Sequence, residues 1–108
     1  MAEHATVARP YAQAAFEAAH GAGQLARWGD AIAAAGVAIA DERVAALLGN
    51  PHVQKAELVG LLADVSGAGG DEKLHNFLQL LADNGRLALL PEIAAQFAAL
   101  RADVENTA

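Results

Sequence analysis

What most constrains this chain is the spacing of its stop signals. Gly21 and Gly23, Gly49-Asn50-Pro51, the run Ser66-Gly67-Ala68-Gly69-Gly70, and Asn84-Gly85 interrupt it at short intervals. Gly and Pro are the strongest local punctuators of structure. Between the breaks the sequence is rich in Ala and Leu, the best helix formers, and poor in β-branched residues. Helices of limited length joined by short connections must pack back on one another. The expected fold is all-α, a compact six-helix antiparallel bundle forming a single domain over residues 1–108.

The individual helices follow from their ends. The first is expected over Thr6 to His20, beginning near Arg9 or with a distorted opening turn, because proline suits a first turn and Pro10 stands there. The second runs from Gln24 to Ala40, with Leu25, Trp28, Ile32 and Ile39 near one side. Asp41 caps a short third helix, Glu42 to Leu48. Asn50 is expected to cap the fourth with Pro51 at its first position, and that helix runs to about Val65. The 66–70 run is a flexible turn. Asp71 caps the fifth helix, Glu72 favours the positive end of its dipole, and Asn84-Gly85 ends it. The sixth begins near Leu87 or Pro91 and ends near Glu105.

Composition narrows the function. Hydrophobic residues make up 55% and charged residues 19%, which excludes intrinsic disorder. A domain of this size buries roughly two-thirds of its unfolded surface and can fold alone. The net charge is −6 and only 7 residues are Lys or Arg. Phosphate backbones and anionic lipid both require clustered cations, so neither nucleic acid nor a lipid surface is an expected partner. There is no cysteine, and no apolar run approaches the roughly 20 residues of a membrane helix. The first residues, Met1-Ala2-Glu3-His4, lack the basic and apolar regions of a signal peptide.

No constellation reads as an active site. His4, His20, His52 and His75 are never paired at the spacing that shares a metal on one helix. Asp71, Glu72 and His75 cluster, but a charged first turn explains them better than a cation does. The stretch from Gly67 to Lys73 lacks the Gly-Lys-Ser/Thr ending of a phosphate loop. Ser66 has no nearby histidine base. Asp30, Asp41, Glu42, Glu57, Asp64 and Asp83 are scattered over separate helices, as solvated carboxylates are. No catalytic residue, cofactor or metal is expected.

The apolar faces are more informative. A surface helix in a bundle needs one apolar stripe. At about 100° per residue, Ala8, Ala12, Ala15, Phe16 and Ala19 share one side of the first helix. Val7, Tyr11, Ala14 and Ala18 form a second row beside it. On the fifth, Leu74, Leu78 and Leu81 make the core row, while Asn76, Phe77 and Leu80 project elsewhere. Two readings fit. Either both helices are wrapped on two sides, or the second rows line a groove that accepts a partner's amphipathic helix. In the second case Ala14 and Ala18 allow close approach, and Tyr11, Phe77 and Leu80 supply contact area.

Specific blocks carry a resemblance. The opening Ala8-Arg9-Pro10-Tyr11-Ala12-Gln13-Ala14-Ala15-Phe16, then Arg27-Trp28-x-Asp30, then Asn76 through Leu87 with its Asn-Gly-Arg-Leu ending, then Leu90-Pro91 and Phe97-x-x-Leu100-Arg101, follow in order. Together they resemble the N-terminal domain of ATP synthase delta subunits, whose mitochondrial counterpart is the oligomycin-sensitivity-conferral protein. The resemblance covers nearly the whole chain. It implies a non-catalytic stator component of a rotary proton-translocating ATP synthase, peripheral on the cytoplasmic face of the bacterial inner membrane. It also implies a groove between helices 1 and 5 that holds the N-terminal helix of an alpha subunit. Carried over by position, the contacts fall on Tyr11, Ala14, Asn76, Phe77 and Leu80; Val7 and Ala18 are added from the face analysis. The family's smaller C-terminal domain, which engages the b subunit, would begin about where this chain stops, so the chain is expected to be a piece of a longer subunit. The alternative class is a small helical self-associating or ligand-binding regulatory domain.

Overall fold

The computed structural model describes residues 2–67 and 70–107, and of Ala2 and Thr107 only the backbone. It contains α1 (Ala2–Gly21), α2 (Leu25–Ala40), α3 (Glu42–Leu48), α4 (Lys55–Ser66), α5 (Glu72–Asp83), a 3-10 turn (Leu87–Leu89) and α6 (Leu90–Thr107). The all-α fold of six α-helices is the expected one. Of the 66–70 turn, Ala68 and Gly69 lie outside the described residues.

Local chemistry explains most of the ends. Asp41 Oδ1 accepts the Arg43 N–H at 2.8 Å, and Asp71 Oδ1 accepts the Leu74 N–H at 3.1 Å. Each thereby satisfies a donor that has no partner within its own helix. Gly85 takes φ +67°, a left-handed conformation that costs glycine nothing. The chain then turns back so that Arg86 N–H reaches the Leu81 carbonyl at 2.7 Å.

Two starts differ from expectation, and both involve proline. α1 begins at Ala2, which leaves Pro10 well inside the helix. An interior proline removes a ladder donor and costs about 3 kcal/mol. Tertiary contacts offset that cost. Ala8, Ala12, Ala15 and Ala19 are all buried on either side of it, and Gln96 Nε2 of α6 donates to the Ala5 carbonyl at 2.8 Å. The segment before Pro10 is thus docked on α6. At the other site, α4 starts at Lys55 and not at Pro51. Asn50 Oδ1 accepts the His52 N–H at 2.9 Å. That is an Asx turn, which uses the same side-chain bond as a cap but closes a loop.

The core is one continuous cluster. Phe97, Ile32, Leu62, Leu74, Leu78, Leu81, Leu90, Ile93 and Val59 are fully enclosed in it. α6 packs mainly on α1 and α2, while α4 joins α2 to α5. Trp28, Ile32 and Ile39 are buried as their spacing predicts, and Leu25 is partly so. Phe16 is half-buried, edge-on to Phe97 at 6.0 Å and stacked on His20 at 5.5 Å. A Cβ at Gly36 would meet Pro91 Cα at 3.3 Å and the Leu90 carbonyl oxygen at 3.4 Å, so α2 and the start of α6 approach backbone to backbone. The short α3 buries none of its residues.

Candidate functional site

The expected groove residues occupy two outward rows. On α1, Val7 and Tyr11 are half-buried against the core, and Ala14 and Ala18 are exposed. On α5, Asn76 is exposed and Leu80 is 46% exposed. The reading in which both helices are wrapped on two sides does not describe Ala14, Ala18, Asn76 and Leu80.

Phe77 is placed differently from the sequence expectation. It is only 7% exposed and lies among the core residues, its ring tilted against Trp28 at a centroid distance of 6.1 Å. At about 100° per residue Phe77 lies about 60° from Leu74 and about 40° from Leu81, so it stands at the edge of the same i, i+3, i+4, i+7 stripe, where Trp28 of α2 covers it. Phe77 therefore belongs to the core, and Asn76 and Leu80 are the outward-facing positions of α5.

The two rows converge. Asn84, immediately after α5, continues the Asn76–Leu80 row by one more turn, and its Nδ2 donates to Tyr11 Oη at 3.2 Å. At the opposite end of α5, Asp71 Oδ2 pairs with Arg27 Nε of α2 at 3.1 Å. Tyr11 of α1 thus meets the C-terminal end of α5, while the start of α2, past the α1–α2 turn, meets its N-terminal end. α1 and α5 therefore run in opposite directions. The main packing of α1 is on α6 and α2, and that of α5 is on α4 and the 3-10 turn, so neither helix fills the space beside the other. In the sequence Asn84 reads as a helix terminator, and its i+4 and i+8 spacing from Leu80 and Asn76 is the signal that it also belongs to the row.

Polar chemistry elsewhere is ordinary. Ser66 Oγ donates to the Ala63 carbonyl at 3.2 Å, a bond within its own helix end. Among the described residues no three His, Asp or Glu side chains gather in a way that would hold a metal ion. Among them, too, no helix is long and apolar enough to cross a membrane. An apolar cleft of about 250 Å³ lies under α3, lined by Leu47, Leu48, Val53, Leu58, Ala82 and Leu87 among others.

Comparison with known proteins meets this geometry from the side of sequence. Residues 7–108 match the profile of the ATP synthase delta (OSCP) subunit. The ATP synthase subunit delta of Alkalilimnicola ehrlichii is 51% identical over 108 residues, which are 98% of this chain and 60% of that protein. Those of Aromatoleum aromaticum and Stenotrophomonas maltophilia are 45% and 48% identical over 106 residues, with 98% of this chain covered in each case. The chain spans about 60% of the length of these curated relatives. With a profile match over nearly its whole length and relatives this similar, the chain belongs to the ATP synthase delta (OSCP) subunit family.

Proposed function

We propose that this chain is the head-side grip of the stator in a bacterial rotary, proton-translocating ATP synthase. The subunit links the catalytic head to the peripheral stalk, so that the alpha–beta ring does not turn with the rotor. It is peripheral, on the cytoplasmic face of the inner membrane. The chain itself performs no chemistry. It holds the N-terminal helix of an alpha subunit in the trough between α1 and α5, against Val7, Tyr11, Ala14, Ala18, Asn76 and Leu80, with Phe77 beneath. Engagement of the b subunit belongs to a C-terminal domain that lies outside these residues.

The observation that carries this reading is the pair of outward rows, joined at one end by Asn84 and Tyr11 and not packed on each other. Ala14 and Ala18 leave room for a partner backbone, and Leu80 offers apolar area that would otherwise stay in water. The 12 residues of α5 make a wall about 18 Å long, matching about three turns of a partner helix. A grip of this composition depends little on salt.

The test is an NMR titration with a peptide copying the N-terminal helix of the alpha subunit from the same organism. Saturable shifts clustered around Tyr11, Ala14, Asn76 and Leu80 are expected. A folded domain that shows no shift at high peptide concentration would remove the claim. The second reading, a ligand-binding module, draws on the cleft under α3. It predicts that shifts fall on Leu47, Leu48 and Leu58 with apolar small molecules, and that the peptide causes none.

A further inference from the structure

We propose that Asn84 is a positioning residue of the partner groove, acting through Tyr11. The inference rests on the proposed partner-helix reading and extends it to a residue outside the set of groove contacts.

Asn84 is itself held firmly. Its N–H bonds to the Leu80 carbonyl at 3.1 Å, and the next two residues close the helix end through Gly85 and the Arg86–Leu81 bond. Its exposed side chain thus leaves from a backbone fixed at this corner, whereas Tyr11 is a half-buried ring on another helix. A tyrosine ring held only by packing retains freedom to swing about its χ1 and χ2 torsions. Donation from Asn84 Nδ2 to Tyr11 Oη at 3.2 Å removes that freedom and ties the two walls together across the trough. It does so where direct helix packing does not. A partner helix then meets a preset ring and a preset spacing, and loses less entropy on binding.

The bond makes no demand on folding. The backbone of Asn84 at φ −91°, ψ 2° is accessible to alanine, and its capping bond uses the main-chain N–H, which alanine keeps. Asn84→Ala therefore removes the tie and little else. Tyr11→Phe removes it from the other side and keeps the ring. Asn84→Asp restores it with the direction reversed, because a carboxylate accepts from the tyrosine hydroxyl.

The experiment measures affinity for the alpha-helix peptide and thermal stability for the parent chain, these three variants and the Asn84→Ala/Tyr11→Phe double variant, and records the Tyr11 ring resonances without peptide. Asn84→Ala and Tyr11→Phe are each expected to weaken binding about three- to tenfold, the worth of one hydrogen bond. The double variant should be no weaker than either single one, since both break the same contact. Asn84→Asp should recover most of the affinity, and thermal midpoints should stay close to that of the parent. In the free chain Asn84→Ala should shift the Tyr11 ring signals. Parental affinity in both single variants, strictly additive losses, or Tyr11 signals unmoved by Asn84→Ala would each overturn the inference while leaving the groove in place. A parent chain that fails to bind the peptide would overturn both readings.

Discussion

One carboxylate, that of Asp71, serves two helices. Its Oδ1 caps α5 through the Leu74 N–H at 3.1 Å, and its Oδ2 receives Arg27 Nε of α2 at 3.1 Å. The two roles separate by substitution. Asp71→Ala loses cap and pair together and should cost about 1–2 kcal/mol. Arg27→Ala loses only the pair, and because the arginine side chain is 50% exposed, the cost should stay below about 1 kcal/mol. Asp71→Ser keeps a capping oxygen and should resemble Arg27→Ala. Urea denaturation of the three variants checks the ranking; equal losses in all three would mean that the cap contributes nothing.

Phe77 and Leu80 stand about one turn apart on α5 with opposite exposure. Phe77→Ala opens a cavity against Trp28 and should cost about 3–5 kcal/mol of stability. Leu80 is 46% exposed, so Leu80→Ala should change stability by no more than about 0.5 kcal/mol. If Leu80 is a central anchor for the partner helix, the same substitution should weaken peptide binding by about 2 kcal/mol, roughly thirtyfold. Measuring both quantities for both variants distinguishes core from contact surface.

Two helical glycines make an internal comparison. At Gly60 in α4 an added Cβ meets nothing within 4 Å, so Gly60→Ala should stabilise by up to about 1 kcal/mol through helix propensity. At Gly36 in α2 the same methyl meets the backbone of Leu90 and Pro91 at 3.3–3.4 Å, and backbone cannot rotate away. Overpacking of about 1–3 kcal/mol outweighs the propensity gain there. Gly36→Ala should lower the thermal midpoint while Gly60→Ala raises it.

α3 should loosen in acid before the rest of the domain does. Hydrogen bonds from the Arg43 side chain and backbone hold the Asp41 carboxyl below its ordinary value of 3.8. A carboxyl depressed in the folded state contributes stability above 3.8 and loses it as pH falls further through the folded value. α3 has no fully buried residue and is anchored to the core mainly through half-buried Val44, so the cap is a sizeable share of what holds it. The protection of the Arg43 and Val44 amides, measured against their intrinsic exchange rates, should fall as pH drops below 3.8, and Asp41→Asn, which cannot titrate, should abolish that pH dependence.

Much of this protein was determined by the sequence alone. Asp41 and Asp71 cap where they stand because a carboxylate before a helix former finds free N–H groups one turn ahead. Gly85 ends α5 because left-handed backbone favours glycine. The Ala8–Ala19 row and the Leu74–Leu81 row are buried, and the rows through Ala14, Ala18, Asn76 and Leu80 face outward, because periodicity fixes the angle of each side chain around its own helix. What periodicity cannot fix is how far a neighbouring helix reaches around that angle, and tertiary structure decided every such case. Phe77 stands at the edge of the Leu74–Leu81 stripe, and Trp28 of α2 is what closes over that edge. Pro10 is tolerated inside α1 because burial and Gln96 hold both sides of it on α6. Asn84 meets Tyr11 only because folding brings together residues 73 positions apart. Local chemistry acts over a turn of chain and is legible in it, whereas burial and cross-helix bonds depend on where the other helices come to rest.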